Sequence, residues 1–405
     1  MGRRGARDES DFRSRPSKRG SRPRTKRRPS HEDAVTAMVT GVDRGRYTLL
    51  VPDAGEPDGG RGGPGGVPSS SGTVVLAMKA RELVRTRVVV GDRVDVVGDV
   101  TGEEGTLARI VRIAERSSVL RRTADDDDPY ERIVVANADR LVVVTALADP
   151  PPRTGMIDRC VVAAYDAGMD VLLCLTKADL ASPDELRALY EPLGVEVVVT
   201  RAAPTPESGD TRAGDSASAG TDAASARAAR TGGEALTLDP ASVEEVRGLL
   251  RGRTSVLVGH SGVGKSTLIN ALVPTAGRAT GDVNDVTGRG RHTSTSAVAL
   301  ALPAGPEDAG PETGHDGWVI DTPGVRSFGL AHVEVAHLLH AFEDLDEAAA
   351  ECPRGCTHQA DAPDCALDEW VGAAPDDDTR ASRALRLASF RRLLASRTGT
   401  TPREG

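Results

Sequence analysis

Short apolar runs at residues 35–40, 46–51, 73–78, 88–97 and 107–113 carry no helical period, and turn residues such as Gly41, Gly91-Asp92 and Gly98-Asp99 punctuate them. The pattern predicts five short strands closing a small β-barrel, with an OB-fold as the first candidate and another small β-sandwich as the alternative. The Gly/Pro-rich stretch 52–72 then becomes a long hairpin insertion. From residue 133 the period changes. Apolar, β-branched runs at 141–145, 171–175, 195–199, 254–258 and 319–320 alternate with helical segments that include 156–167 and 182–193, which predicts a parallel sheet with crossover helices. Residues 202–234 are rich in Ala, Gly, Ser, Thr and Pro without apolar period and read as a disordered insertion, while 303–317 reads as a hairpin loop. Two more helices are expected at 333–350 and 379–394. The chain thus divides into a tail at 1–30, a β-barrel at 31–115, an α/β domain at 116–332 and a helical module at 333–397.

A chain of 405 residues can bury a separate core in each part, but aromatics make up only 2%, so those cores must be aliphatic. Scarce aromatics also disfavour single-stranded RNA binding by base stacking and leave electrostatics as the main route to nucleic acid. The net charge of −9 conceals an asymmetry: residues 1–30 hold twelve Arg/Lys against three Asp/Glu, a local +9, leaving −18 for the remainder. That tail is either a solvated segment or an arm for RNA phosphates. No apolar run follows it and none reaches 18 residues elsewhere, so the sequence predicts a cytoplasmic protein with no membrane partner. Five cysteines, an odd number, argue against a disulfide framework; Cys160 and Cys174 lie in apolar runs and read as core.

The chemistry begins at Gly259-His260-Ser261-Gly262-Val263-Gly264-Lys265-Ser266, which fits G-x-x-x-x-G-K-S between the run 254–258 and a helical segment opening at Thr267. In such a loop glycines let the backbone wrap phosphates, a helix N-terminus adds positive charge, Lys265 neutralises phosphate oxygens and the Ser266 hydroxyl ligates Mg²⁺. The chain holds 46 Arg and only five Lys, so a lysine here is chemistry rather than habit of composition. Another lysine stands in Thr176-Lys177-Ala178-Asp179, which resembles the guanine motif N-K-x-D with Thr in place of Asn; the Asp179 carboxylate would accept from the guanine N1 and exocyclic amine. Asp321-Thr322-Pro323-Gly324 fits D-x-x-G, placing Asp321 to hold a Mg²⁺ water and the Gly324 amide near a γ-phosphate. Between these, Gly288-Arg289-Gly290-Arg291-His292-Thr293-Ser294-Thr295 reads as a switch segment, with Thr293 first among the hydroxyls for the metal. Val325 follows D-x-x-G where Ras-like GTPases orient water with Gln, so His292 becomes the candidate for that task. Low intrinsic GTPase activity follows.

Near the C-terminus Cys352, Cys356, His358 and Cys365 form C-x3-C-x-H-x6-C, a closed donor set suited to one structural Zn²⁺. The expected helix at 379–394 carries Arg380, Arg383, Arg386, Arg391 and Arg392, facing either rRNA or solvent.

The guanine motif precedes the phosphate loop, the reverse of the ordinary order, which means a circularly permuted GTPase domain. Permuted motifs between an OB-like barrel and a Cys/His cluster resemble the family of ribosome small-subunit-dependent GTPase A (RsgA, also called YjeQ), over residues 32–397. The resemblance implies a monomeric GTP hydrolase that uses GTP with Mg²⁺, is activated by the 30S subunit and binds 16S rRNA during late 30S maturation. The alternative is a nucleotide-gated RNA-binding module in which hydrolysis is incidental. A small-molecule P-loop kinase would leave the guanine motif, D-T-P-G and the flanking domains unexplained.

Overall fold

Alternation of buried and exposed positions builds the first unit of the fold. In a computed structural model that describes residues 31–53, 72–123, 130–203, 237–276, 297–303, 317–322, 329–330, 333 and 335–397, strands β1 (Val35–Asp43), β2 (Arg46–Pro52), β3 (Gly72–Lys79), β4 (Arg93–Val97) and β5 (Ala108–Ile113) pair in the order β1-β2-β3-β5-β4, and β4 returns to β1. The result is a closed five-stranded barrel. In β3, Val75 and Ala77 point inward at 0% exposure while Val74, Leu76 and Met78 point out, the period-two pattern of a strand with one wet face. Its core is small and aliphatic, centred on Val39, Leu49, Val94 and Ile110.

The run at 88–97 is not one strand. Val88, Val89 and Val90 are buried, but the strand starts only at Arg93, because Gly91-Asp92 turns the chain to make a joint. Gly91 has φ +88°, and a Cβ there would stand 2.0 Å from the Ala136 carbonyl oxygen. The fully buried Asp92 carboxylate accepts from the Val89 N–H at 2.8 Å and from Arg116 Nε at 2.7 Å. Asn137 Nδ2 donates to the Gly91 carbonyl at 2.8 Å. These contacts tie the barrel to a hairpin of β6 (Val119–Arg122) and β7 (Arg132–Ala136), which the apolar pattern had not marked.

Beyond the hairpin lie β8 (Arg140–Ala146), β9 (Asp170–Thr176), β10 (Glu196–Val199), β11 (Arg253–Val258), β12 (Val298–Ala301) and β13 (Gly317–Asp321). They run in the order β10-β9-β8-β11-β13-β12, parallel except for β12. β12 pairs on its far side with β1 at Gly41↔Val298, so the barrel continues the sheet. Every residue of β8 is buried, as required of a strand covered on both faces. One face receives α1 (Thr154–Asp166) and α2 (Asp184–Tyr190); the other receives α3 (Pro240–Leu250) and α4 (Lys265–Leu272). Cys160 and Cys174 are core residues, and burial pushes both thiols up to about 12.

The C-terminal part is helical: α5 (Val335–His340), α6 (Glu343–Ala349), α7 (Ala366–Gly372) and α8 (Asp377–Arg397). The single helix expected at 333–350 is broken near Phe342, whose buried ring meets Tyr165 of α1 edge-on at 5.2 Å and Phe390 of α8 at 5.6 Å. The expectation that the α8 arginines face rRNA or solvent holds for the exposed Arg380 and needs correction for the other four. Arg391 is bidentate on Asp368 at 2.8 and 2.7 Å, Arg386 pairs with Asp344 at 2.5 Å, and Arg383 donates to the Trp370 carbonyl at 2.6 Å. Arg392 reaches the α1 carboxylate Asp158, 1% exposed, at 3.2 Å, and covers the Tyr190 ring, whose hydroxyl donates to the same carboxylate at 2.9 Å. Acidic partners and carbonyls inside the fold claim these guanidiniums.

Removing the guanidinium leaves a buried carboxylate short of its countercharge, which costs about 3–5 kcal/mol. Arg392→Ala should therefore lower the urea midpoint of unfolding markedly, whereas Arg380→Ala, whose ion pair with Asp377 is exposed, should shift it little.

Candidate functional site

The motif residues lie at or just beyond the C-terminal ends of β9, β11 and β13, the side of a parallel sheet where ligands bind. The loop after β11 begins with Gly259, where a Cβ would lie 2.6 Å from the Val144 carbonyl oxygen of β8. Gly262 and Gly264 have φ of +84° and +90°, a region open to glycine at little cost. Gly264 caps α4, with its carbonyl accepting from the Leu268 N–H at 2.9 Å. His260 Nε2 is buried without a partner among the described residues. Burial, then the charge of Arg153, holds that imidazole below its ordinary pKa, so it is neutral near pH 7.

Lys265, the first residue of α4, forms an ion pair with Asp321 at the end of β13 and donates to the Thr322 carbonyl at 2.8 Å. Both side chains are mostly buried. The Thr322 hydroxyl is anchored to the Leu257 carbonyl at 2.7 Å, so the D-x-x-G strand and the phosphate loop are fastened by side chains as well as by β11–β13 pairing. Ser266 and Thr267 follow in the first turn of the same helix.

The Thr176-Lys177-Ala178-Asp179 segment leaves β9 beside that loop. The Thr176 hydroxyl, buried at 3% exposure, donates to the Val263 carbonyl at 2.6 Å. Lys177 takes φ +60° and its Nζ donates to the Asp149 carbonyl. The Ala178 N–H donates to the Thr200 carbonyl at 3.2 Å, and the Asp179 carboxylate accepts from the Ala202 N–H at 3.3 Å. The turn 200–202 after β10 therefore lies against the T-K-x-D segment. Position 202 falls at the start of the low-complexity stretch 202–234, and the one mark of the turn in the sequence is a strand ending where that stretch starts. The chain re-enters through Ala203 N–H to Thr237 carbonyl and Asp239 N–H to Arg201 carbonyl bonds at 2.8 and 3.0 Å. His292, Thr293, Ser294, Thr295, Gly324 and Val325 lie outside the described residues.

Cys352, Cys356, His358 and Cys365 converge, their ligand atoms all within 4.8 Å of one another. His358 Nδ1 stands 3.6 Å from Cys352 Sγ and 3.9 Å from Cys365 Sγ, separations close to those around a tetrahedral ion with bonds of about 2.0–2.3 Å. Gly355 and His358 turn the chain with φ of +80° and +56°. Two N–H groups, of His358 and Ala366, donate to Cys356 and Cys352 sulfurs, and Arg391 Nε donates to the His358 carbonyl at 3.1 Å. Without a cation, burial chiefly pushes the Cys352 thiol up to about 11. Three soft sulfurs and one imidazole fit a metal ion, and the crowding is relieved by thiolate ligation.

A parallel sheet with a phosphate loop on its central strand, a T-K-x-D loop on a strand that precedes it in the chain, and a paired D-x-x-G aspartate define a circularly permuted P-loop GTPase. Comparison with known proteins gives the family. The RsgA GTPase family model matches residues 113–211 and 216–331. The chain is 32% identical over 302 residues to the small ribosomal subunit biogenesis GTPase RsgA of Pseudomonas aeruginosa, covering 73% of this chain and 72% of that one. It is 31% identical over 301 residues to the Chlorobaculum parvum protein of the same name, covering 72% and 82%. The crystal structure of YjeQ from Thermotoga maritima superposes with TM-score 0.51 at 22% identity, covering 89% of this chain and 99% of that one. YloQ, described as a circularly permuted GTPase, does so with TM-score 0.52 at 19% identity, covering 93% and 99%. The chain belongs to the RsgA GTPase family.

Two outcomes follow from the geometry. Gly259→Ala forces a methyl against the Val144 carbonyl and should abolish detectable binding of a fluorescent GDP analogue while the far-UV spectrum stays unchanged. Elemental analysis should find about one divalent metal per chain, lost from a Cys356→Ser variant.

Proposed function

We propose that the chain is a GTP hydrolase that serves biogenesis of the small ribosomal subunit, binding 30S particles in one nucleotide state and leaving them in the other. The observation that carries this reading is the convergence of Lys265, Asp321, Thr176 and Asp179 at one end of one sheet, in a chain related over most of its length to proteins named for that task.

In this reading the backbone from Gly259 to Thr267 cradles the phosphates. Lys265 turns from Asp321 to the β- and γ-phosphate oxygens, and Asp179 accepts from the guanine N1 and exocyclic amine, with Lys177 and Ala178 shaping that loop. The residues present suit Mg²⁺: Ser266 offers a hydroxyl and Asp321 a carboxylate for a metal-bound water, with Thr293 as a further hydroxyl. Mg²⁺, when bound with GTP, supplies positive charge at the phosphates. Gly324 offers its amide to the γ-phosphate. His292 orients the attacking water, because Val325 has no group that can.

The barrel's strand order, closed by β1–β4 pairing, supports an OB-fold as one RNA-binding part, and the helical module at 333–397 with structural Zn²⁺ on Cys352, Cys356, His358 and Cys365 as another. The same division keeps the barrel at 31–115 and the GTPase domain at 116–332. The partners are then 16S rRNA within the 30S subunit, with the protein acting as a cytoplasmic monomer. Among the described residues no helix is long and apolar enough to cross a membrane.

Multiple-turnover hydrolysis measured with and without 30S subunits tests this. The rate should rise at least tenfold with 30S, and His292→Ala should lose most of the rise; equal rates would remove the ribosome from the mechanism. Co-sedimentation with 30S should be stronger in a non-hydrolysable GTP analogue than in GDP, and release that proceeds equally well without hydrolysis would favour the nucleotide-gated RNA-binding module.

A further inference from the structure

Position 176 opens the guanine motif, and its contacts in this chain are unusually committed. Its hydroxyl is 2.6 Å from the Val263 carbonyl oxygen and 3.3 Å from that of Thr145. Both are acceptors, and a threonine hydroxyl has one proton to give. The shorter contact takes it. The group is buried, so the proton cannot be shared with solvent, and a Cβ on Gly264 would touch Thr176 Oγ1 at 3.6 Å, so the phosphate loop packs against it at two successive residues.

An asparagine amide at this place would bring two N–H donors. One could hold the phosphate loop and the other could serve a base. Guanine held by Asp179 at its N1 and exocyclic amine turns its five-membered ring toward the ribose and phosphates, the side on which Thr176 stands. That ring presents N7, an acceptor only. An acceptor at N7 needs a donor, and Thr176 has none left.

We propose that Thr176 is a positioning residue that clamps the base loop to the phosphate loop through Val263, and that the side chain at this position leaves guanine N7 unread, so selectivity rests on the edge facing Asp179. The clamp couples the two loops: displacing β9's end displaces the carbonyl of Val263, two residues before Lys265. This inference rests on the assignment of Asp179 to guanine in the proposed function.

Competition against a fluorescent GDP analogue, with the full chain and Mg²⁺ present, decides it. The wild-type protein should bind 7-deaza-GDP within about twofold of GDP, because no hydrogen bond is lost. It should bind inosine diphosphate, which lacks the exocyclic amine, at least about fivefold more weakly, the size of one hydrogen bond. Thr176→Asn should acquire a preference for GDP over 7-deaza-GDP of several-fold. Thr176→Val should weaken both equally, by about tenfold, and Thr176→Ser should restore them. A merely structural role would not move the ratio of the two ligands in Thr176→Asn. A wild-type preference for GDP over 7-deaza-GDP of fivefold or more, lost in Thr176→Val, would overturn the proposal by showing that the hydroxyl reads N7. Equal binding of inosine diphosphate and GDP would instead overturn the assignment of Asp179 to the base.

Discussion

The close parallel approach of β8 and β11 is the constraint on which the site depends. Their register, Ser255↔Arg140 through Val258↔Val143, brings Gly259 so near Val144 that only hydrogen fits at its α-carbon. From that contact the phosphate loop acquires its starting point, and β9 and β13, flanking the pair, acquire theirs. Chain order is secondary to this neighbourhood. A sheet needs particular strands to be adjacent and says nothing about which is made first, so the T-K-x-D strand can precede the phosphate loop and still stand two places from it.

Charge within the site is arranged before any nucleotide arrives. Lys265 and Asp321 neutralise each other in a mostly buried setting, where an unpaired charge would be costly. The proposed function gives Lys265 to phosphate and Asp321 to the metal, and in that reading each charge exchanges one partner for another. The same logic governs the metal cluster, where Arg391 fastens the His358 backbone while its guanidinium is held by Asp368. In both places a strong local charge is useful because a second charge fixes it.

Much of this was legible in the sequence where stereochemistry narrows the choice of residue. Gly259, Gly264 and Lys265 are a signature because backbone approach and a compact cation leave no substitutes, and the cysteine spacing is one because four donors must meet around one ion. The strands from β8 to β11 were legible because burial on both faces forces continuous apolar runs. Other features left weaker marks. β12 spans only Val298–Ala301, and α3 begins at Pro240 beside a low-complexity stretch, where its apolar face of Val243, Val246 and Leu250 is short. The 88–97 run looked like one strand because a buried turn at Gly91-Asp92 is as apolar in its flanks as a strand. The turn 200–202 is marked only by the end of a strand, since what it offers Asp179 is a backbone N–H, which every residue but proline has. Arg383, Arg386, Arg391 and Arg392 of α8, unlike the exposed Arg380, are hard to read for a related reason: charge is visible in a sequence, but its partners, Asp158 on α1 among them, are distant in it.

That last distance bears on how the protein is made. Asp158 emerges on α1, and the guanidinium that meets it arrives with α8, 234 residues later. Until then the outer side of α1 has Phe342 to meet Tyr165 but lacks the part of its cover that Phe390 and Arg392 bring. During synthesis the nucleotide-binding sheet can assemble with one face incomplete until α8 closes it. Late closure of this kind makes the docking of α8 the step at which a part-made chain is most open to aggregation or to chaperones.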